Sequence, residues 1–145
     1  MGRLTPDGTH LKIGLDLEDV RVLSVRITHI EALRGEGSAP PASQAGRDRC
    51  IRPKRVIRSD FGDVAACQAD LSVTDTVTLD GWEFNVGLEA RFTFGEEVSR
   101  WQLEGRDTRR ILVGLCLPHS CEVIAYLTAK VGMRPLILPP AVPDE

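Results

Sequence analysis

The sequence predicts an α+β fold, in which an antiparallel sheet is covered on one face by one main C-terminal helix. Three observations support this prediction. Residues 82–94 alternate between apolar and polar side chains, Asp80-Gly81 stands directly before them, and apolar residues recur at helical spacing after Pro118. A chain of 145 residues is large enough for one domain with its own core, so residues 1–145 are expected to form a single domain.

The stretch 82–94 is the most regular part of the sequence. Every second residue is apolar, from Trp82 to Phe94, and the residues between them are mostly polar. Successive strand side chains point to opposite faces, so this pattern predicts a long strand with one dry and one wet face. Such a strand is typical of an antiparallel sheet covered on one side. Asp-Gly favours a hairpin turn, which would pair residues 73–79 with this strand.

Other extended stretches are less regular. Residues 20–33 are rich in β-branched side chains, and their alternation slips twice, which indicates β-bulges or an error in the assumed register. Residues 63–73 alternate again, and residues 11–17 favour a short strand or an extended arm. Residues 1–10 are polar and residues 34–53 are rich in glycine and proline, so both are expected to be flexible.

A helix is expected over residues 118–131. Pro118 suits the first turn of a helix, and Gly132 suits the position just after the end. The helix has little polar surface, which predicts that its own sheet covers one side and another subunit the other. Its recurring apolar residues, Cys121, Ile124, Leu127 and Val131, are therefore the candidate oligomer interface. The charged stretch before it, residues 96–110, is expected to be irregular and carries a lone Trp101.

Composition narrows the classes of function. The formal net charge is −3 and the pI is about 5.6, so neither nucleic acid nor an anionic membrane is the expected partner. The basic residues between Arg47 and Arg58 have no aromatic residues among them, which favours a solvated loop over a nucleic-acid contact. No stretch approaches an uninterrupted membrane span and the N-terminus is not a signal peptide, so a cytoplasmic location is expected.

No sequence pattern indicates catalysis, a cofactor or a metal. The cysteines at 50, 67, 116 and 121 are expected to be reduced thiols, with Cys67 and Cys121 buried. Zinc binding by Cys116, His119 and Cys121 is disfavoured, because their spacing is unusual and no fourth ligand is evident. Phosphate loops, dinucleotide fingerprints and nucleophile elbows do not occur.

The C-terminal third resembles the SecB protein-export chaperone family. The resemblance covers residues 111–140. It rests on a helix that starts at a proline and contains a glutamate and a Leu-Thr pair, on a glycine after the helix, and on a leucine-rich segment bounded by prolines. These features are Leu117-Pro118-His119, Glu122, Leu127-Thr128, Gly132 and Pro135-Leu136-Ile137-Leu138-Pro139-Pro140. It departs from the family at His119, where an aromatic residue is usual. It implies a four-stranded antiparallel sheet with helices on one face, and the end at Glu145 implies that the second helix is missing or reduced.

The same resemblance implies a function. SecB-like proteins are ATP-independent holdases that form homotetramers, built as dimers of dimers, and bind non-native polypeptides such as export precursors. Some relatives instead protect the antitoxin of a toxin–antitoxin system. The sequence shows no charged tail of the kind that docks the SecA motor, so polypeptide binding, more than delivery to SecA, is the expected function. The candidate polypeptide-binding residues are Leu23, Val25, Phe92, Trp101, Leu136, Ile137 and Leu138.

Two other functions stay open from the sequence. An oligomeric scaffold protein would assemble through the helix at 118–131 and ignore unfolded chains. An α+β enzyme or small-ligand binder would be a monomer or dimer with an enclosed pocket.

Overall fold

A computed structural model describes residues 3–4, 10–11, 19–35 and 52–142. Two-residue strands β1 (Arg3–Leu4) and β2 (His10–Leu11) pair with each other. The main sheet contains β3 (Arg21–Arg34), β4 (Lys54–Ala65), β5 (Gln68–Leu79) and β6 (Trp82–Thr93), and the helices are α1 (Arg100–Leu103) and α2 (Arg106–Lys130). Most of the expected strand at 11–17, and most of the expected flexible segments at 1–10 and 34–53, lie outside the described residues.

The main sheet is antiparallel throughout, with strand order β3-β6-β5-β4. The hairpin predicted around Asp80-Gly81 is confirmed: Leu79 pairs with Trp82, and the two turn residues have positive φ angles of 51° and 82°. The predicted irregularity of the first long strand is confirmed as well. The pairing of β3 with β6 shifts between Val22 and Ser24 and again between Ile27 and His29, which are two bulges.

The strand predicted at residues 63–73 is wrong, because it is the end of one strand and the start of the next. A tight turn at Ala66 and Cys67 separates β4 from β5, and Ala66 has a φ of 51°. Alanine gives no signal for a left-handed turn position, so the sequence did not show the break. The preceding residues from Lys54 onward were expected to continue a solvated loop, but they form the edge strand β4, whose charges mask its alternation.

The main helix begins twelve residues before the predicted start. Pro118 was expected in the first turn but lies inside α2. Its side chain is exposed and it lacks an N–H, so the helix forgoes the hydrogen bond to the carbonyl of Gly114. The loss is tolerated because Leu112, Val113 and Leu117 continue the buried face through the proline. Gly132, with a φ of 94°, ends the helix as predicted.

The core lies between α2 and one face of the sheet. Phe84, Val86, Leu88 and Phe92 of β6 are buried there, as the alternation predicts. The opposite face of the sheet is polar and carries exposed ion pairs such as Asp70 with Arg91. Among the described residues, α2 is the helix that is long and apolar enough to cross a membrane by composition; its packing on the sheet makes this weak evidence for a span.

An extended segment, residues 133–142, returns along α2 after the helix ends. Its anchor is Thr128, which is fully buried and whose hydroxyl oxygen accepts a hydrogen bond from the backbone N–H of Leu136 at 2.9 Å. Farther along, Cys121 and Arg55 contact the carbonyl of Pro139, and Arg110 donates to the carbonyl of Val142 at 3.2 Å. The segment therefore lies on the β4 side of α2.

Candidate functional site

A charged side chain interrupts the buried face of β5. Ala69, Leu71, Val73 and Val77 follow the alternation of a covered strand, but Asp75 occupies the position between the last two and is completely buried. Burying a carboxylate without partners is costly, so its surroundings must supply hydrogen-bond donors and a compensating charge.

Arg55 of β4 and Ser120 of α2 supply those donors. Arg55 forms a two-pronged ion pair with the carboxylate, through Nε at 2.9 Å and Nη2 at 2.6 Å, and the hydroxyl of Ser120 donates at 2.6 Å. Burial lowers the pKa of Arg55, but the hydrogen bond and charge of Asp75 outweigh it and raise the pKa above its ordinary value. Arg55 also donates to the Pro139 carbonyl at 2.7 Å.

This network joins β4, β5, α2 and the C-terminal segment at one buried point. No buried side-chain polar atom of the described residues lacks a hydrogen-bond partner. The arrangement fixes how α2 sits on the sheet, because the apolar contacts around it are less directional than three short hydrogen bonds. The sequence analysis missed Asp75; the signal was a lone carboxylate at an inward position of an otherwise apolar alternation.

β3 carries more exposed large aliphatic side chains than any other described strand or helix. Val22, Val25, Ile27 and Ile30 stand opposite Phe92, Ala90, Leu88 and Val86 of β6, so they point to the face on which α2 lies. Yet three of them stay largely uncovered, since Val22, Ile27 and Ile30 are 42%, 43% and 50% exposed, while Val25 is half-buried. We call these four residues the β3 strip.

The β3 strip faces an open side of α2. The C-terminal segment lies against Cys121, on the flank of α2 toward β4. β3 is at the other edge of the sheet, so the strip lies beside the opposite flank of the helix. The outside of α2 also carries apolar residues: Ile111, Leu115 and Tyr126 are exposed and lie four and eleven residues apart, which places them on one side of the helix together with the exposed Glu122. We call these three the α2 stripe.

The predicted polypeptide-binding residues divide into three groups. Leu23, Trp101 and Ile137 are well exposed. Val25 and Leu136 are half-buried and pack against the core. Phe92 and Leu138 are buried, at 0% and 8% exposure, and this corrects their assignment to a binding surface. Phe92 points under α2 because it shares a face with Phe84 and Leu88, and Leu138 anchors the C-terminal segment.

The predicted oligomer interface needs a similar correction. Ile124 and Leu127 are buried against the sheet of their own subunit, so they present no surface to a partner. Cys121 and Val131 are half-buried. The helical spacing identified the inward face of α2 correctly as apolar, but the exposed α2 stripe was missed because most of it lies outside the predicted helix or away from its spacing.

The cysteines differ from expectation as well. Cys116 is the fully buried thiol, and burial raises its pKa to about 11, whereas Cys67 and Cys121 are only partly buried. Among residues 3–4, 10–11, 19–35 and 52–142, no group of three histidine, cysteine or acidic side chains is placed to hold a metal ion.

The fold is that of a SecB-like protein. A solved structure of the Rv1957 SecB-like chaperone from Mycobacterium tuberculosis, in complex with a ChAD peptide from the Rv1956 HigA1 antitoxin, matches 86% of this chain and 89% of its own, with a TM-score of 0.64 and 13% sequence identity. The resemblance predicted from the C-terminal residues is thereby confirmed for the fold.

A more distant match is a protein of unknown function from Streptococcus agalactiae. It covers 83% of this chain and 96% of its own at 10% identity, and its TM-score of 0.48 is too low to bear on the function. No protein-family model matches the sequence, and no curated protein matches it either.

Proposed function

We propose that this chain is a chaperone-type protein that binds non-native polypeptide through the β3 strip and performs no catalysis. The observation that carries the proposal is an aliphatic surface on the helix side of the sheet that the chain's own helix leaves uncovered. Aliphatic side chains in a row along an edge strand suit an extended chain, which can place every second side chain against them.

The strength of this surface can be bounded. Full burial of an aliphatic side chain is worth about 1.5–3 kcal/mol, and the strip residues are already about half buried, so a client gains about 3–5 kcal/mol from the strip. Even before the entropy cost of association is subtracted, an interaction of about 4 kcal/mol corresponds to a dissociation constant no tighter than about 1 mM. One strip alone therefore holds a client weakly, and firm holding requires several strips to act on the same chain.

Self-assembly would supply those additional strips. The α2 stripe gives each subunit three exposed apolar side chains on one helix face, beside Glu122, that a second copy could cover, and we propose the homotetramer implied by the SecB-like resemblance as the working assembly. The stripe also favours the second candidate function, an oligomeric scaffold, because it provides assembly without any requirement for client binding.

The SecB-like neighbour bound to an antitoxin peptide supports a polypeptide as the ligand. On this basis we propose an antitoxin segment as one client class; the SecB-like resemblance of the sequence adds an export precursor as the other, and we propose a cytoplasmic location for either. ATP-independent holding and SecA as a possible partner belong to the same proposal. Prevention of aggregation without nucleotide would support the holdase activity.

The test compares the unmodified chain with Ile27→Ser/Ile30→Ser on a size-exclusion column with light scattering, with and without a polypeptide diluted from denaturant. The unmodified chain is expected to run as a multimer and to carry the polypeptide with it. The double variant is expected to keep its mass and lose the polypeptide. Val56→Ser is the matched control, because Val56 is an exposed β-branched residue on the other edge strand.

Three outcomes count against the proposal. A multimer that ignores the polypeptide would favour the scaffold. Unchanged polypeptide binding by the double variant would show that the binding surface is not the β3 strip. A monomer without polypeptide binding would contradict both functions.

A further inference from the structure

Four arginines surround an open pocket at the start of α2. Arg106, Arg109 and Arg110 come from the first five residues of the helix, and Arg58 comes from the edge strand β4. The pocket has a volume of about 480 Å³, and Ile57, Val113 and Val142 add apolar lining. No carboxylate of the described residues lines it. We call this the arginine pocket.

Two of the four arginines are committed to holding the fold. Arg109 donates to the carbonyl of Ser59 at 3.0 Å, and its guanidinium stacks over the ring of Phe61. Arg110 donates to the carbonyl of Val142. Arg58 and Arg106 are exposed and form no hydrogen bond or ion pair with any other described residue.

The position of these charges is unfavourable without a bound anion. The N-terminal end of a helix carries a partial positive charge, so cations there are destabilising and anions are favoured. Asp107 is the acidic residue of the first turn, and the N-cap residue Gly105 offers no side chain to accept a hydrogen bond from the first backbone N–H groups. A bound anion would give Arg58 and Arg106 a partner and would satisfy the helix end as well.

The pocket lies at the end of a surface that already holds extended chain. Residues 133–142 run along this flank of α2, and Arg55 and Arg110 bind the carbonyls of Pro139 and Val142. The arginine pocket opens beside Val142, so it continues the same track. A polypeptide is thus the occupant that the neighbouring contacts accommodate, and charge complementarity requires it to be acidic.

The geometry points to a second binding site: the arginine pocket binds the carboxylate side chains of an extended acidic polypeptide segment. This site is separate from the β3 strip, because the two lie on opposite flanks of α2. It goes beyond the proposed function and does not depend on it.

Calorimetric titration with two ten-residue peptides tests the site on the full chain. One peptide alternates serine with glutamate, and the other has glutamine in place of glutamate. The glutamate peptide is expected to bind at low ionic strength and to weaken steeply with salt. Arg106→Gln and Arg58→Gln are expected to weaken it by about threefold to tenfold each, since charge-assisted hydrogen bonds are lost at a partly exposed site.

Arg21→Gln is the matched control. It removes the same charge from an exposed position on β3, far from the arginine pocket, and should leave the affinity unchanged. Ile27→Ser/Ile30→Ser should also leave it unchanged, which keeps this result independent of the β3 strip. Folding of each variant is checked by its thermal midpoint.

Several results would overturn the inference. Equal binding of the glutamine peptide would exclude carboxylate recognition. An equal loss of affinity in Arg21→Gln would show that net charge alone accounts for the binding. Displacement by millimolar inorganic phosphate with the same arginine dependence would assign a small-anion site. Binding seen only after Asp144→Asn/Glu145→Gln would assign the pocket to the chain's own acidic residues.

Discussion

Replacing Asp75 by asparagine removes a buried charge while keeping the shape of the side chain. Arg55 then stays in the interior with 6% of its side chain exposed and no counter-charge. Breaking a buried ion pair on one side costs about 3–5 kcal/mol. The lower end applies here because Arg55 retains its hydrogen bond to Pro139, so we expect a loss of about 3 kcal/mol in the free energy of unfolding.

Urea unfolding, followed by far-ultraviolet circular dichroism, measures this loss. A decrease of about 3 kcal/mol corresponds to a thermal midpoint lower by about 6–12 °C for a domain of this size. Asp70→Asn is the matched control: Asp70 lies on the same strand and accepts the same two-pronged contact from Arg91, at 2.8 and 3.3 Å, but its pair is exposed. The control should cost less than about 1 kcal/mol.

A second variant separates the cost of leaving one buried charge unpaired from the cost of burying the ion pair itself. Asp75→Leu combined with Arg55→Met replaces both charges by apolar groups, and such replacements are often neutral or stabilising. The double variant should therefore be more stable than Asp75→Asn. A loss of less than about 1 kcal/mol for Asp75→Asn, or equal losses for Asp75→Asn and Asp70→Asn, would refute the assignment of a buried, mutually dependent pair.

Three further predictions concern the core and the bulged strand. Burial raises the pKa of the Cys116 thiol from 9.0 to about 11. The stability that Cys116 contributes is therefore complete below pH 9 and is lost as the pH rises through 11. The difference in urea midpoint between the unmodified chain and Cys116→Ala should show the same pH dependence. Thr128→Val leaves the N–H of Leu136 without its acceptor and should cost about 1–3 kcal/mol, with faster hydrogen exchange at that amide; exchange as slow as before would contradict the anchor. Gly87→Ala would place a Cβ at 3.0 Å from Thr28 Oγ1 and 3.1 Å from the Cβ of His29. The free energy of unfolding should therefore fall by about 1–2 kcal/mol. An unchanged urea midpoint would show that the backbone of β3 shifts at its second bulge to accept the methyl group.

The sequence predicted the parts of the fold that have a strict period or a specific turn. Residues 82–94 alternate without error because β6 is central and one of its faces is buried. Asp80-Gly81 identified the hairpin because both turn positions require a positive φ. The slips in β3 were visible because each bulge moves the apolar side chains by one position.

The remaining fold depended on tertiary contacts. The inner face of β4 is buried only where α2 and the C-terminal segment cover it. Its arginines therefore interrupt the apolar alternation by which a strand is identified in the sequence. Pro118 suggested a helix start, and only packing against the sheet shows that α2 continues through it. Ala66 adopts a turn conformation that its side chain does not favour in isolation.

The candidate site was less predictable than the fold. An apolar residue in a strand belongs either to the core or to the surface, and which of the two depends on where the helix crosses the sheet. Phe92 and Ile30 are both apolar, but Phe92 is fully buried while Ile30, on the edge strand β3, is 50% exposed. The partner of Asp75 is twenty residues away in sequence, and no local pattern links the two.

The two bulges of β3 affect how copies of this chain can stack. An edge strand with free backbone groups is a template for a further strand, and repeated addition produces cross-β fibrils. Here the ladder shifts after Val22 and after Ile27, so a straight incoming strand meets only short runs in register. The charge of Arg34 opposes an identical neighbour as well. The same irregularity that interrupts the alternation of β3 thus disfavours fibril growth on a strand that displays aliphatic side chains.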